Sequence, residues 1–325
     1  MTTQPPDDQA LRSDEALRSD DEARRAGEPA AEPSVAPRGP RSDDRGDAES
    51  ATPGPHPWTR MVSMGDSFTE GIGDPDPAVP GGHRGWADRT AEQLGRGVDG
   101  FSYANLAIRG RLYRQILDEQ LQPALDLGPD LVTLSAGGND VLRLGDPDAI
   151  AAEIDSAVER LRAAGATVVL FTAPDVGSTP VLRVIRGRAA IYNENMRMVA
   201  SRHDAAIVDL WSLRDLTRES MWAEDRLHFS PLGHQRIAAE VLDTLGVDHD
   251  ITPGDPEDGP SRTWRAARQD DLQWARTHLG PWVMRRLRHQ SSGDSIRPKR
   301  PEASTVFGQG MPPGSAASAL PEHEA

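Results

Sequence analysis

Apolar residues are unevenly spread along this chain: they gather between residues 60 and about 247 and thin out on either side. Five short runs read as strands, at 61–64, 101–108, 130–135, 167–171 and 206–210. Val168-Val169-Leu170-Phe171 has no polar alternation, which suits a strand covered on both faces. Segments of helical spacing lie between the runs. The stretch 149–164 carries Ile150, Ile154, Ala157, Val158 and Leu161 on one stripe and stops at Gly165. Further helices are predicted at 86–94, 112–125 (helical in spacing until Pro123), 185–200 and 231–245, the last opened by Pro231. Strands alternating with helices predict an α/β domain with a five-stranded parallel sheet. Ligands of such sheets sit at the carboxyl ends of the strands. Gly65-Asp66-Ser67, Asn105, Gly137-Gly138-Asn139-Asp140 and Pro174-Asp175 each follow a strand, which collects them on one sheet edge.

The flanks read differently. Residues 1–57 are acidic, proline-rich and nearly free of large apolar side chains, so a disordered tail is expected. Ala-Leu-Arg-Ser-Asp occurs twice there, at 10–14 and 16–20, and could form a transient helix; a second reading starts the protein nearer Met61. The expected domain covers 58–247, followed by a linker at 248–261. A helix or helical hairpin is predicted at 262–289, with Trp264, Leu272, Trp274, Trp282 and Leu287, a break at Gly280-Pro281 and a basic end at Arg285-Arg286-Leu287-Arg288. It is expected to pack on the domain, the alternative being a membrane-surface or partner role. Residues 290–325 are expected to be a second disordered tail.

Composition narrows the function classes. The chain has no cysteine, which excludes disulfides, thiolate metal sites and cysteine nucleophiles. A formal charge of -15 argues against nucleic acid as a partner and for solubility. Of the 36 basic residues only Lys299 is a lysine. No apolar run of leader type opens the chain, and none is long enough for a transmembrane segment, so a cytoplasmic protein is expected. Oligomeric state is not legible.

Ser67 is the candidate nucleophile. It stands in Met64-Gly65-Asp66-Ser67-Phe68-Thr69-Glu70, after a strand, where its hydroxyl can be exposed at the sheet edge. Alone, such a serine serves equally as a turn residue or helix cap, and its hydroxyl needs a base to become nucleophilic. Asp225-Arg226-Leu227-His228 supplies one, just before the Pro231 helix. The carboxylate can hold one imidazole nitrogen while the other faces the serine. His234 competes as a base but lies inside the predicted helix and reads as a packing or solvent-facing residue. Donors for a developing oxyanion are the Ser67 N–H, the Gly110 N–H in Asn105-Leu106-Ala107-Ile108-Arg109-Gly110, and the Asn139 amide. Each glycine fits turn geometry as well.

Taken together, Ser67 in GDS, Gly110 in NLAIRG, Asn139 in GGND and His228 with Asp225 in DRLH resemble the four blocks of the SGNH (GDSL-like) hydrolase superfamily over about residues 60–245. The resemblance implies a flavodoxin-like three-layer α/β/α sandwich. It also implies an esterase, lipase or deacetylase that uses no metal or other cofactor. Catalytic residues Ser67, Asp225 and His228 are then expected, with an oxyanion hole of Ser67, Gly110 and Asn139, acting on a small-molecule, lipid or O-acetyl-carbohydrate ester through an acyl-enzyme. Two alternatives stand beside this: an acyltransferase on the same site, and a catalytically silent binding module. Asp140 is expected to hold local backbone. Asp74 and Asp76 lie in a loop expected to border the pocket, without the further ligands a metal needs. Arg183, Arg186 and Arg188 read as a solvated helix face rather than a site for an anionic substrate.

Overall fold

A computed structural model describes residues 55–178, 182–255 and 293–306. The expected N-terminal tail up to residue 54, the predicted helix at 262–289 and the end of the chain beyond 306 lie outside the described residues.

The strands are β1 (Arg60–Met64), β2 (Ser102–Asn105), β3 (Leu131–Leu134), β4 (Thr167–Phe171), β5 (Ala206–Val208) and β6 (Arg300–Thr305). They form one sheet in the order β5-β4-β3-β1-β2-β6. The first five are parallel, as expected from the alternation of strands and helices. Alternate residues feed two cores because successive side chains of a strand point to opposite faces. Val62, Met64, Val132, Leu134, Val168 and Leu170 pack against helices α3 (Tyr113–Asp126), α5 (Pro147–Ala163) and α6 (Arg186–Arg202). Met61, Tyr103, Leu131, Val169, Phe171 and Val208 face α2 (Gly85–Gly97) and α7 (Pro231–Leu245). Ile150, Ile154 and Leu161 of the predicted stripe are each buried to within 1 %. Burial of each contributes about 1.5–3 kcal/mol. Those three contacts alone outweigh several surface ion pairs, each worth about 0–1 kcal/mol.

Two differences from the sequence reading stand out. Among the described residues the sheet has six strands, not five, and the sixth comes from the 290–325 stretch expected to be disordered. β6 runs antiparallel to β2 and is mostly exposed along its length. Its sequence, RPEAST, has no apolar pattern to reveal it. Backbone pairing and the side chains of Lys299 and Arg300 hold it: Lys299 pairs with buried Asp88 at 3.0 Å, and the Arg300 guanidinium lies 5.7 Å from the Tyr103 ring centre. The second difference is that α3 continues past Pro123 to Asp126. Pro123 falls in the final turn, where its missing N–H removes one hydrogen bond and little helix remains to be disrupted.

Strand order reverses between β1 and β3, the crevice where a sheet of this order leaves room for a ligand. The GDS segment leaves β1 and the GGND segment leaves β3, so the two flank that crevice.

Candidate active site

Ser67 opens the short helix α1 (Ser67–Glu70) directly after β1. Asp66 caps it by accepting the Phe68 N–H at 3.1 Å. Buried Gln120 of α3 brackets the residue before the cap: its Oε1 accepts the Gly65 N–H at 2.8 Å and its Nε2 donates to the Gly65 carbonyl at 2.9 Å. Asn105, at the end of β2, donates to the Thr69 carbonyl at 2.9 Å. The turn that carries Ser67 is thus fixed from two neighbouring elements.

The candidate base, His228, lies 161 residues further along the chain. Between a single 3-10 turn at Glu219–Met221 and α7, the backbone makes a tight turn with Arg226 at φ +54°. Asp225 Oδ1 accepts the N–H groups of Leu227 and His228, both at 3.0 Å. Its Oδ2 lies 2.6 Å from His228 Nδ1, and His228 Nε2 lies 3.0 Å from Ser67 Oγ. With Nδ1–H donating to the carboxylate, Nε2 is left to accept from the serine hydroxyl. Burial would raise the Asp225 carboxyl, but the His228 hydrogen bond and charge and the two backbone N–H groups outweigh it and hold it at about 2. Phe229 stacks on Trp222 with centroids 4.4 Å apart, which seats the strand-like residues around His228. Gly73, at φ +101°, lets the loop after Ser67 approach this turn, since a Cβ there would overlap the Phe229 carbonyl.

Asn139 is the second residue of the helix α4 (Gly138–Leu142) after β3. Its Nδ2 donates to Asp66 Oδ2 at 2.9 Å and to the Arg111 carbonyl at 3.1 Å. Both amide hydrogens are therefore engaged beside Ser67. Gly110 takes a left-handed φ of +76° between Arg109 and Arg111. Asp140 accepts the Tyr113 N–H at 2.9 Å and so holds the start of α3, the backbone role expected for it.

A match to the sequence model of the GDSL-like lipase/acylhydrolase family spans residues 63–236, over half of the chain. The chain belongs to this family. It is accordingly a carboxylic ester hydrolase, in keeping with the SGNH resemblance of its four blocks. Among solved structures the chain is similar to TesA, at 25% identity and a TM-score of 0.46 over 57% of this chain and 97% of that one. It is also similar to the psychrotrophic esterase EstA from Pseudoalteromonas sp., at 16% identity and a TM-score of 0.47 over 58% and 97% of the two chains. A third is Axe2, an acetylxylan esterase from Geobacillus stearothermophilus, at 19% identity and a TM-score of 0.47 over 58% and 94%. No curated protein matches the chain.

Several residues packed around Ser67 and Gly110 are not singled out by the sequence. Glu70, three positions after Ser67 and almost fully buried, accepts the Arg109 N–H at 2.7 Å and the Arg109 guanidinium in a fork. That pair ties the Ser67 helix to the residue preceding Gly110. Gln120 was detectable in principle, as a polar residue on the buried stripe of Ile116, Leu121 and Ala124. Other expected residues turn out to be occupied elsewhere. Asp74 pairs with Arg89 at 2.9 Å and accepts the Gly85 N–H, and Asp76 accepts the Ala78 N–H. Arg186 pairs with Asp175 at 2.7 Å and lies over Trp211, while Arg188 donates to the Gly145 carbonyl. Arg183 is exposed. No helix among the described residues is long and apolar enough to cross a membrane.

His234 is buried in α7 and bridges two elements. Its Nδ1 accepts the Trp86 N–H and its Nε2–H donates to the Ile72 carbonyl, both at 3.1 Å. Burial pulls its pKa to about 4, against smaller support from the Ile72 carbonyl. Unfolded, the ring protonates near 6.5, so its contribution to stability is complete above that pH and is lost as pH falls towards 4. Asp66 runs the opposite way. Burial raises it from 3.8 to about 6, against the Phe68 N–H, so the folded state binds its proton first and gains stability as pH falls. The two trends offset in the wild type, and a variant separates them. His234→Gln should be destabilised relative to wild type at pH 7, and the difference should shrink by about 3 kcal/mol towards pH 4. Urea melts of both proteins at the two pH values measure this; a pH-independent difference would contradict it.

Proposed function

We propose that the chain hydrolyses carboxylic esters through an acyl-enzyme on Ser67, with His228 as general base and acid and Asp225 as the orienting carboxylate. The unbroken line of hydrogen bonds from Asp225 Oδ2 through both His228 nitrogens to Ser67 Oγ, at 2.6 and 3.0 Å, carries this reading. His228 Nε2 takes the Ser67 proton as Oγ bonds to the ester carbonyl carbon. The carbonyl electron pair moves onto oxygen, where the N–H groups of Ser67 and Gly110 and the Asn139 amide stabilise it. For Asn139 this means sharing or releasing one of its two present acceptors, Asp66 Oδ2 or the Arg111 carbonyl. Collapse breaks the bond to the alcohol, which leaves with the proton from His228. Water then attacks the acyl-Ser67 carbonyl, gives its proton to His228 and releases the acid as Ser67 Oγ is reprotonated.

Substrates are small-molecule, lipid or O-acetyl-carbohydrate esters in this reading. The engagement of Arg186 with Asp175 and of Arg188 with Gly145 favours a neutral ester over an anionic one. A fluorophosphonate probe should label wild type at one site, and Ser67→Ala should not label at all. Labelling that survives in that variant would remove Ser67 as nucleophile.

A further inference from the structure

Residues 293–306 lie outside the span that matches the family, 63–236, yet they touch the loops on both sides of the nucleophile. Gly293 sits directly on the loop that carries Gly110. A Cβ at Gly293 would overlap the Arg109 carbonyl and come within 2.7 Å of Ile108 Cγ2. Its neighbour Asp294 pairs with Arg111 Nη1 at 3.2 Å. From inside, the same three residues are held by Glu70 through Arg109 and by Asn139 through the Arg111 carbonyl. The Gly110 loop is therefore clamped between the nucleophile's helix and the C-terminal segment.

Lys299 reaches the opposite loop. Its side chain is 2% exposed. Nζ donates to the carbonyls of His83 and Arg84, both at 2.9 Å, and lies 3.0 Å from Asp88 Oδ1. An ammonium has three donors, and all three are matched here. This turn leads straight to the serine: Arg84 N–H donates to the Asp74 carbonyl, the Gly85 backbone packs on Gly71, and the Gly71 N–H donates to the Ser67 carbonyl.

We propose that residues 293–306 are a positioning element of the active site, Gly293 seating the Gly110 loop against the oxyanion and Lys299 seating the His83–Gly85 turn behind Ser67. The inference rests on the roles given above to Ser67 and Gly110. Oxyanion donors act only when aligned to within about 0.5 Å, so a displaced loop weakens the transition state while leaving ester binding intact.

The test is Gly293→Ala in the full chain, assayed on 4-nitrophenyl acetate with active sites titrated by a fluorophosphonate. Gly293 has no left-handed φ, so the added methyl acts on its neighbour and not on its own backbone. The kcat per titrated site should fall about 10–100-fold, part of the loss for a deleted oxyanion donor, with KM within about twofold. A purely structural role would lower the melting temperature and leave kcat per titrated site at the wild-type value; that result overturns the inference. If Gly293→Ala gives no cooperative melt, the double variant Asp88→Asn with Lys299→Met decides by the same split. It removes both buried charges together, so no unpaired carboxylate remains. Turnover that survives in Ser67→Ala overturns the underlying reading, whereas a dead Ser67→Ala beside a fully active Gly293→Ala overturns this inference alone.

Discussion

His228→Ala is expected to lower kcat on a carboxylic ester by a factor on the order of 10⁶. His228 Nε2 lies 3.0 Å from Ser67 Oγ and is the proton acceptor in the proposed mechanism, and an unassisted hydroxyl is a poor nucleophile at neutral pH. Ser67→Ala should lose about as much, and the pair of substitutions together should lose no more, because each removes the same step. Residual hydrolysis, about 10³–10⁴ over water, would come from the oxyanion donors and from binding. Steady-state kinetics of the two single variants and the double variant test this. Losses that multiply in the double variant would mean that the two side chains act in separate steps.

Asp225→Asn should cost about 10⁴ in kcat, less than removal of Ser67 or His228. The substitution keeps a side-chain oxygen for the N–H groups of Leu227 and His228, so the turn should persist. What changes is the proton on the ring. An amide in place of Oδ2 donates to Nδ1, which forces the imidazole hydrogen onto Nε2, and Nε2 then cannot accept from Ser67. The carboxyl of Asp225 sits at about 2 in the native protein, so it stays charged throughout the neutral range and its orienting role does not switch off there. A melting temperature near that of wild type together with the large loss in kcat would separate tautomer control from folding. Wild-type kcat in this variant would remove Asp225 from the catalytic set.

The parallel sheet and its flanking helices were legible because their signal is apolar periodicity, and burial follows that signal closely: Val168-Val169-Leu170 is covered on both faces, and the stripe on α5 faces the core. The positions of Ser67 and Asn139 just past strand ends were legible for the same reason, since a strand's end fixes where the next few residues emerge, and His228 was legible from its place just before the Pro231 helix. β6 was not legible. An edge strand held by backbone pairing, one buried ammonium and one guanidinium has no hydrophobic alternation to read. The supports of the site were hidden for a related reason. Glu70 with Arg109 and Gln120 with Gly65 are contacts across 39 and 55 residues, and one-dimensional spacing is silent about polar partners that distant. Asn139 is expected from the sequence as an oxyanion donor, whereas its engagement with Asp66 and Arg111 depends on how two loops meet in space.

The burial of Lys299 has a practical consequence. It is the chain's sole lysine, so in the folded protein amine-reactive reagents meet no exposed lysine side chain. Acylation at Lys299, the residue before β6, requires that its ammonium first leave the His83 and Arg84 carbonyls and Asp88. The rate at which an activated ester modifies that one residue, followed by peptide mass, therefore follows local opening at the start of β6 in the unmutated enzyme, with no engineered label.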